Sequence, residues 1–289
     1  MEKIDIHCHA TKRPLEGTVS ADATLDAIAT KMQEHNIERT LVFASYFPHR
    51  GSGISNFRIH QWIQDRREQQ SRSGYCRSPD CSFDMVGSLD IRTYFYQGMS
   101  ELEELASMHA LKGIKVYTGY QEIDLQDAKT QAIARLAVNA NIPLFFHTGY
   151  SYSAMRSTGI PSYAGMVTPT EVGEIASQNL DARVVICHLG KPFFDDTIAT
   201  LRAHPNVWTD ASGLLDSRYE QNDIPACAES LRRVLHEAGP HKVLFGTDFP
   251  VETHDDAIKI ADQALREFST DEKRLFYHGN ALKLLGGRQ

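Results

Sequence analysis

The sequence predicts a (β/α)8 TIM barrel, folded as a single domain over residues 1–289 with an extra C-terminal helix. Three observations carry that prediction. Short apolar, β-branched runs alternate strictly with segments of helical apolar spacing, eight of each. No Gly-rich phosphate loop follows the first strand, as an open doubly wound sheet would carry. The chain has 289 residues, 42% hydrophobic and 23% charged, and barrels of about 250 residues commonly form one domain.

Taken in order, strands are expected near residues 3–9, 40–45, 85–90, 113–117, 143–147, 184–188, 207–211 and 243–248. Helices are expected over 23–35, 56–69, 99–108, 128–139, 170–178, 195–203, 225–237 and 256–268. Thr168-Pro169-Thr170-Glu171 combines a capping box with proline at the first helical position. Ser269 and Glu272 form a second box, opening the extra helix that runs through Leu285. The long irregular stretch at 72–83 reads as an exposed excursion rather than a lid.

Composition narrows the function classes. A net charge of -7 disfavours nucleic acid, which needs a basic surface. No apolar run approaches the ~20 residues of a membrane span. The N-terminus enters a strand at once, leaving no room for a signal peptide. The five cysteines (Cys8, Cys76, Cys81, Cys187, Cys227) are odd in number and fall mostly in core elements. That usage fits a reducing cytoplasm, and Cys76 with Cys81 lacks the second pair a zinc site needs. Small-molecule chemistry is therefore expected; barrels of this size often pair through their outer helices, so a homo-oligomer is compatible with the chain.

Active sites of such barrels lie at the C-terminal strand ends. Strand one ends in Asp5-Ile6-His7-Cys8-His9, where alternation places Asp5, His7 and His9 on one face and Ile4, Ile6 and Cys8 on the other. Strand four carries Lys115, strand five ends in His147, strand six in His188 and strand eight in Asp248. Any one of these alone is more often a rim hydrogen-bonder or a cap than a ligand. Metal-competent groups at several strand ends converging on one mouth favour a shared site. The Cys8 and Cys187 thiols are expected to point outward toward the helices.

With those residues in view the chain resembles the amidohydrolase superfamily of metal-dependent barrels, in its branch of small hydrolases and decarboxylases. The likeness runs from His7 to Gly279-Asn280-Ala281 and Leu284-Leu285; His188-Leu-Gly-Lys-Pro192 and Gly246-Thr-Asp-Phe-Pro250 are similar to segments of sugar-lactone and pyrone-lactone hydrolases. The resemblance implies a principal divalent metal, Zn²⁺ by preference and one ion rather than two, on His7, His9, His147 and Asp248. His188 is then a second-metal ligand or a partner of the attacking water. Such an ion brings the pKa of bound water from about 16 down to about 7, and Asp248 is the residue to move its proton. Lys115 falls where binuclear relatives carry a bridging carboxylated lysine; an ammonium binding a substrate carboxylate, or a plain ion pair, is the alternative.

Around this set, Asp5 is a candidate to orient an imidazole. Tyr117, Tyr120, Tyr150, Tyr152 and Arg156 are candidates for a substrate wall, and Arg92 and His49-Arg50 for anion contacts. The leading expectation is a hydrolase opening a C–O or C–N bond, a lactone favoured. A nonoxidative decarboxylase of an unsaturated or aromatic acid is the alternative, and a non-catalytic binding barrel is a third reading that the intact ligand set opposes.

Overall fold

The computed structural model describes residues 1–12, 22–47, 52–73, 81–121, 123–149, 166–215 and 223–286. His49, Arg50, Cys76, Tyr150, Tyr152, Arg156 and most of the stretch 72–83 lie outside the described residues. Eight parallel strands pair in chain order: β1 (Lys3–Cys8), β2 (Ile37–Phe43), β3 (Ser82–Ser88), β4 (Leu111–Val116), β5 (Leu144–Phe146), β6 (Val184–Ile186), β7 (Val207–Asp210) and β8 (Val243–Leu244). The first and last strands meet through irregular backbone bonds. Ile6 N–H donates to Phe245 O at 3.0 Å and Asp248 N–H to His7 O at 2.7 Å, and Cys8 bridges Phe249 in parallel. The sheet is thus a nearly closed barrel, as the alternation of periods predicts.

Helices follow the strands in turn: α1 (Leu25–His35), α2 (Asn56–Ser73), α3 (Phe95–Ser107), α4 (Ala128–Asn139), α5 (Pro169–Gln178), α6 (Phe194–Ala203), α7 (Ile224–Ala238) and α8 (His254–Ala264). Their starts follow capping chemistry. Thr24, Asp127, Asp223 and Thr253 each accept a first-turn backbone N–H, and Thr168–Glu171 closes the expected capping box. Ser269 and Glu272 close the second box at α9 (Thr270–Arg274), which continues through a π turn into α10 (Asn280–Leu284). A short hairpin, Ser45–Phe47 against Ser52–Ile54, follows β2 and had no periodic signal of its own.

The core has two layers. One lies between the strands and the helices and includes Cys8, Val42, Ile114, Phe146 and Ile186. The other fills the barrel interior, with Ile4, Ile6, Phe43, Phe145, Val185 and Cys187 joined by Ala281 and Leu284 of α10. Here one expectation is corrected. Cys187 faces the interior by strand alternation, in period with Val185, and the 3-10 turn Cys187–Gly190 then holds His188 and Leu189 at left-handed φ of 61° and 52°. Cys8 does lie in the outer layer as expected.

Candidate metal centre

The centre starts at the end of β1. Pairing with β2 slips between Asp5 and Cys8, and strict alternation fails there. Ile6 belongs to the interior layer, yet His7, the next residue, stacks on interior Phe43 with ring centroids 4.2 Å apart and planes 12° off parallel. Asp5 instead turns away. Its carboxylate accepts from Thr247 N at 3.0 Å, Thr247 Oγ1 at 2.8 Å and His7 N at 3.2 Å. So Asp5 and His7 do not share a face; Asp5 fixes the strand's backbone and orients no imidazole ring directly.

Asp248 follows β8 in the left-handed region (φ 58°), a strained position for a non-glycine residue. The turn aims its Oδ1 at both histidines of the pincer, 3.2 Å from His9 Nε2 and 3.5 Å from His7 Nε2. Donors sharing an ion at about 2.0–2.1 Å stand roughly this far apart. His7, His9 and Asp248 therefore fit a single divalent ion, with their three ligand atoms within 4.8 Å of one another.

Asp210, at the end of β7, was missed in the sequence although the strand-end rule that found the others applies to it. It holds His7 Nδ1 at 3.0 Å through Oδ2, and through Oδ1 it accepts from His188 N at 2.9 Å, Ser212 N at 3.2 Å and the Ser212 hydroxyl. Ser212 Oγ lies 3.0 Å from both His7 Nδ1 and His188 Nδ1, and its carbonyl is 3.1 Å from His188 Nδ1. A carboxylate and a carbonyl only accept, so this network assigns the ring protons to Nδ1 of both histidines. The His7 Nε2 lone pair is then left to face an ion, whereas His188 Nε2 lies 3.1 Å from His147 Nδ1. Gly213 (φ 62°) leaves room for this: a Cβ there would lie 2.7 Å from Asp248 Oδ2 and 3.2 Å from His188 Nδ1.

Charge states agree with the donor roles. Burial pushes the His7 pKa down to about 3, with the nearby Lys115 charge adding to the effect, and burial also lowers that of His188. Both rings are neutral at pH 7. Burial alone would raise the two carboxyls, but the His9 hydrogen bond and the surrounding imidazoles hold Asp248 well below the usual carboxylate range. The charge and hydrogen bond of His7 do the same for Asp210. Neutral imidazoles and ionised carboxylate are the forms that bind metal.

The remaining candidates take different places. His147 Nδ1 lies 3.1 Å from His188 Nε2, while His147 joins none of the three-donor groups found among the described residues. His188 forms such a group with His7 and Asp210. Lys115 is fully buried beneath the site, its Nζ 2.8 Å from Cys187 Sγ and 5.4 Å from the Phe43 ring centroid. Tyr117 donates its hydroxyl to Ala44 O at 2.8 Å, so it is a wall rather than a hydrogen-bonding contact for a substrate. Tyr120 sets its ring edge against His147 at 4.9 Å, at the rim of the centre. Arg92 is exposed on the turn after β3.

A family model described as amidohydrolase matches residues 4–287. No curated protein matches the chain. Among solved structures, it is similar to a probable 2-pyrone-4,6-dicarboxylic acid hydrolase from Acinetobacter baumannii with citric acid bound (19% identity, TM-score 0.66, covering 99% of this chain and 100% of that one). It is also similar to an amidohydrolase from Burkholderia multivorans with bound zinc (17%, TM-score 0.66, all of both chains). A third is 5-carboxyvanillate decarboxylase from Sphingomonas paucimobilis (14%, TM-score 0.62, 99% of each chain). At these identities the structures speak for the fold. No helix among the described residues is long and apolar enough to cross a membrane.

Proposed function

Since this chain belongs to the amidohydrolase family, we infer that it is a metal-dependent hydrolase opening a C–O bond, a lactone or ester by preference, in a small carboxylate- or hydroxyl-bearing molecule. The observation that carries this is the meeting of His7, His9 and ionised Asp248 around one point, with the His7 Nε2 lone pair aimed inward. The set suits Zn²⁺. When bound there, such an ion supplies Lewis acidity for the scissile carbonyl and for water.

The chain's own groups divide the remaining work. Asp248 is ionised at neutral pH and takes the attacking water's proton on a carboxylate oxygen, then returns it to the leaving oxygen. His188 and His147, paired through Nε2 and Nδ1 at 3.1 Å, flank that water, while Asp210 and Ser212 keep the His188 ring from turning. Lys115 lies beneath the rings as a buried ammonium and favours a substrate with negative charge. Tyr120 and His147 form the opposing edge. The likeness to a 2-pyrone-4,6-dicarboxylic acid hydrolase supports an anionic lactone, and the zinc of the Burkholderia structure supports the metal.

Decarboxylation is the second reading, supported by the likeness to 5-carboxyvanillate decarboxylase. Product analysis separates the two: a new carboxylic acid from a lactone panel supports the hydrolase, whereas released CO₂ from aromatic acids supports the decarboxylase. Both readings fail together if the purified protein carries no divalent metal and a His7→Ala/His9→Ala double variant keeps full activity.

A further inference from the structure

His254 opens α8, on the side of β1 away from the barrel interior. It is 1% exposed, and among the described residues neither ring nitrogen has a hydrogen-bond partner. A buried imidazole left this way loses its water without compensation. Something should stand opposite it. What stands opposite is Asp5, its Oδ2 3.9 Å from His254 Nε2, and Cys8 beside them. One ligand atom from each of the three lies within 4.8 Å of the others, and all three residues are buried.

We propose that Asp5, Cys8 and His254 form a second metal site, on the outer face of β1 and separate from the centre in the barrel mouth. The 3.9 Å gap is too long for a hydrogen bond. It is close to the span of two donors on one tetrahedral ion, about 3.3–3.7 Å for metal–ligand lengths of about 2.0–2.3 Å. Carboxylate, thiolate and imidazole together are a zinc donor set, and the thiolate selects against Mg²⁺ or Ca²⁺. Two negative ligands and one neutral one cancel a divalent charge, which permits the site to sit beneath the Phe249 ring, 4.8 Å from that of His254. Asp5 is already oriented by Thr247 and by the backbone of His7. The Cys8 thiol donates weakly to His9 O at 3.8 Å. An ion here ties α8 to the irregular end of β1 and so braces the strand that carries His7 and His9. This is a structural role, distinct from chemistry at the mouth.

The two sites differ in one spectroscopic respect: among the described residues no cysteine belongs to the donor groups at the mouth. The intact chain, stripped of metal and titrated with Co²⁺, is expected to bind two ions, one of them giving an intense near-ultraviolet thiolate-to-cobalt band. Cys8→Ser should abolish the band and remove one equivalent of cobalt while the visible bands of the mouth site remain. His254→Gln should weaken the thiolate-linked site by about tenfold or more. A wild-type protein whose mouth site fills with no thiolate band overturns the proposal. So does a band that survives Cys8→Ser and vanishes with Cys187→Ser. The wild-type titration decides the matter even if Cys8→Ser does not fold, and its outcome is independent of whether the mouth site is catalytic.

Discussion

Asp210→Asn tests whether the second ring of contacts sets the charge form of the centre. Asp210 receives His7 Nδ1 on one oxygen and three donors, His188 N, Ser212 N and the Ser212 hydroxyl, on the other. Asparagine has one accepting oxygen. Placed toward the three donors, it turns its NH₂ onto His7 Nδ1, which must then accept and move its proton to Nε2. The lone pair facing His9 and Asp248 is lost. Placed the other way, three donors confront an NH₂, which is worse. The expected loss is about 10–100-fold in metal affinity, with a fall in stability of about 1.5–3 kcal/mol from the lost charge-assisted bond. Competition with a chelator measures the affinity, and ring ¹⁵N shifts of the metal-free protein report the His7 tautomer. A folded Asp210→Asn protein that binds metal as wild type does, with Nδ1 still protonated, would refute the reasoning.

Three further outcomes are expected. Gly213→Ala places a Cβ against Asp248 Oδ2 and His188 at a left-handed φ, so metal affinity and activity should fall together, with about 1–3 kcal/mol of strain seen in denaturant unfolding. In metal-free protein His7 titrates near 3 folded against 6.5 unfolded, so its contribution is intact above pH 6.5 and is lost as pH falls toward 3. The stability difference between wild type and His7→Gln should therefore shrink by about 2 kcal/mol from pH 6.5 to 5, and a difference independent of pH would contradict the burial argument. Lys115→Met removes the buried charge that helps depress His7. His7 should then protonate at higher pH by NMR, and KM should rise for anionic substrates more than for neutral ones.

The barrel was legible because its two periods differ so plainly: eight strand-like runs separated by helical spacing leave little choice of topology. The strand-end positions of His147, His188 and Asp248 were legible for the same reason, since each stands just past a strand; yet His147 joins none of the three-donor groups among the described residues. What escaped has local causes. The slip in β1 between Asp5 and Cys8 breaks the two-residue repeat, so Asp5 and His7 part company. Left-handed turns at His188 and Asp248 redirect side chains in a way no periodicity announces. Asp210 obeys the strand-end rule and was overlooked beside its more conspicuous histidine neighbours, while Ser212 matters only through distances that the sequence does not contain.

The irregular bonds between β1 and the segment after β8 run through the middle of the candidate metal centre. His7 and His9 stand on one side of that seam and Asp248 on the other, and the Asp5–Thr247 bonds beside them span 242 positions of sequence. An ion gripped by all three residues is a clasp across the last join of the barrel. Closing the seam creates the grip, and the grip opposes opening by RT ln(1 + [M]/Kd), about 2.7 kcal/mol when the metal stands at about 100 times its Kd. With an ion so held, metal retention and barrel integrity would be one equilibrium: whatever loosens the seam would release the ion, and chelation would loosen the seam.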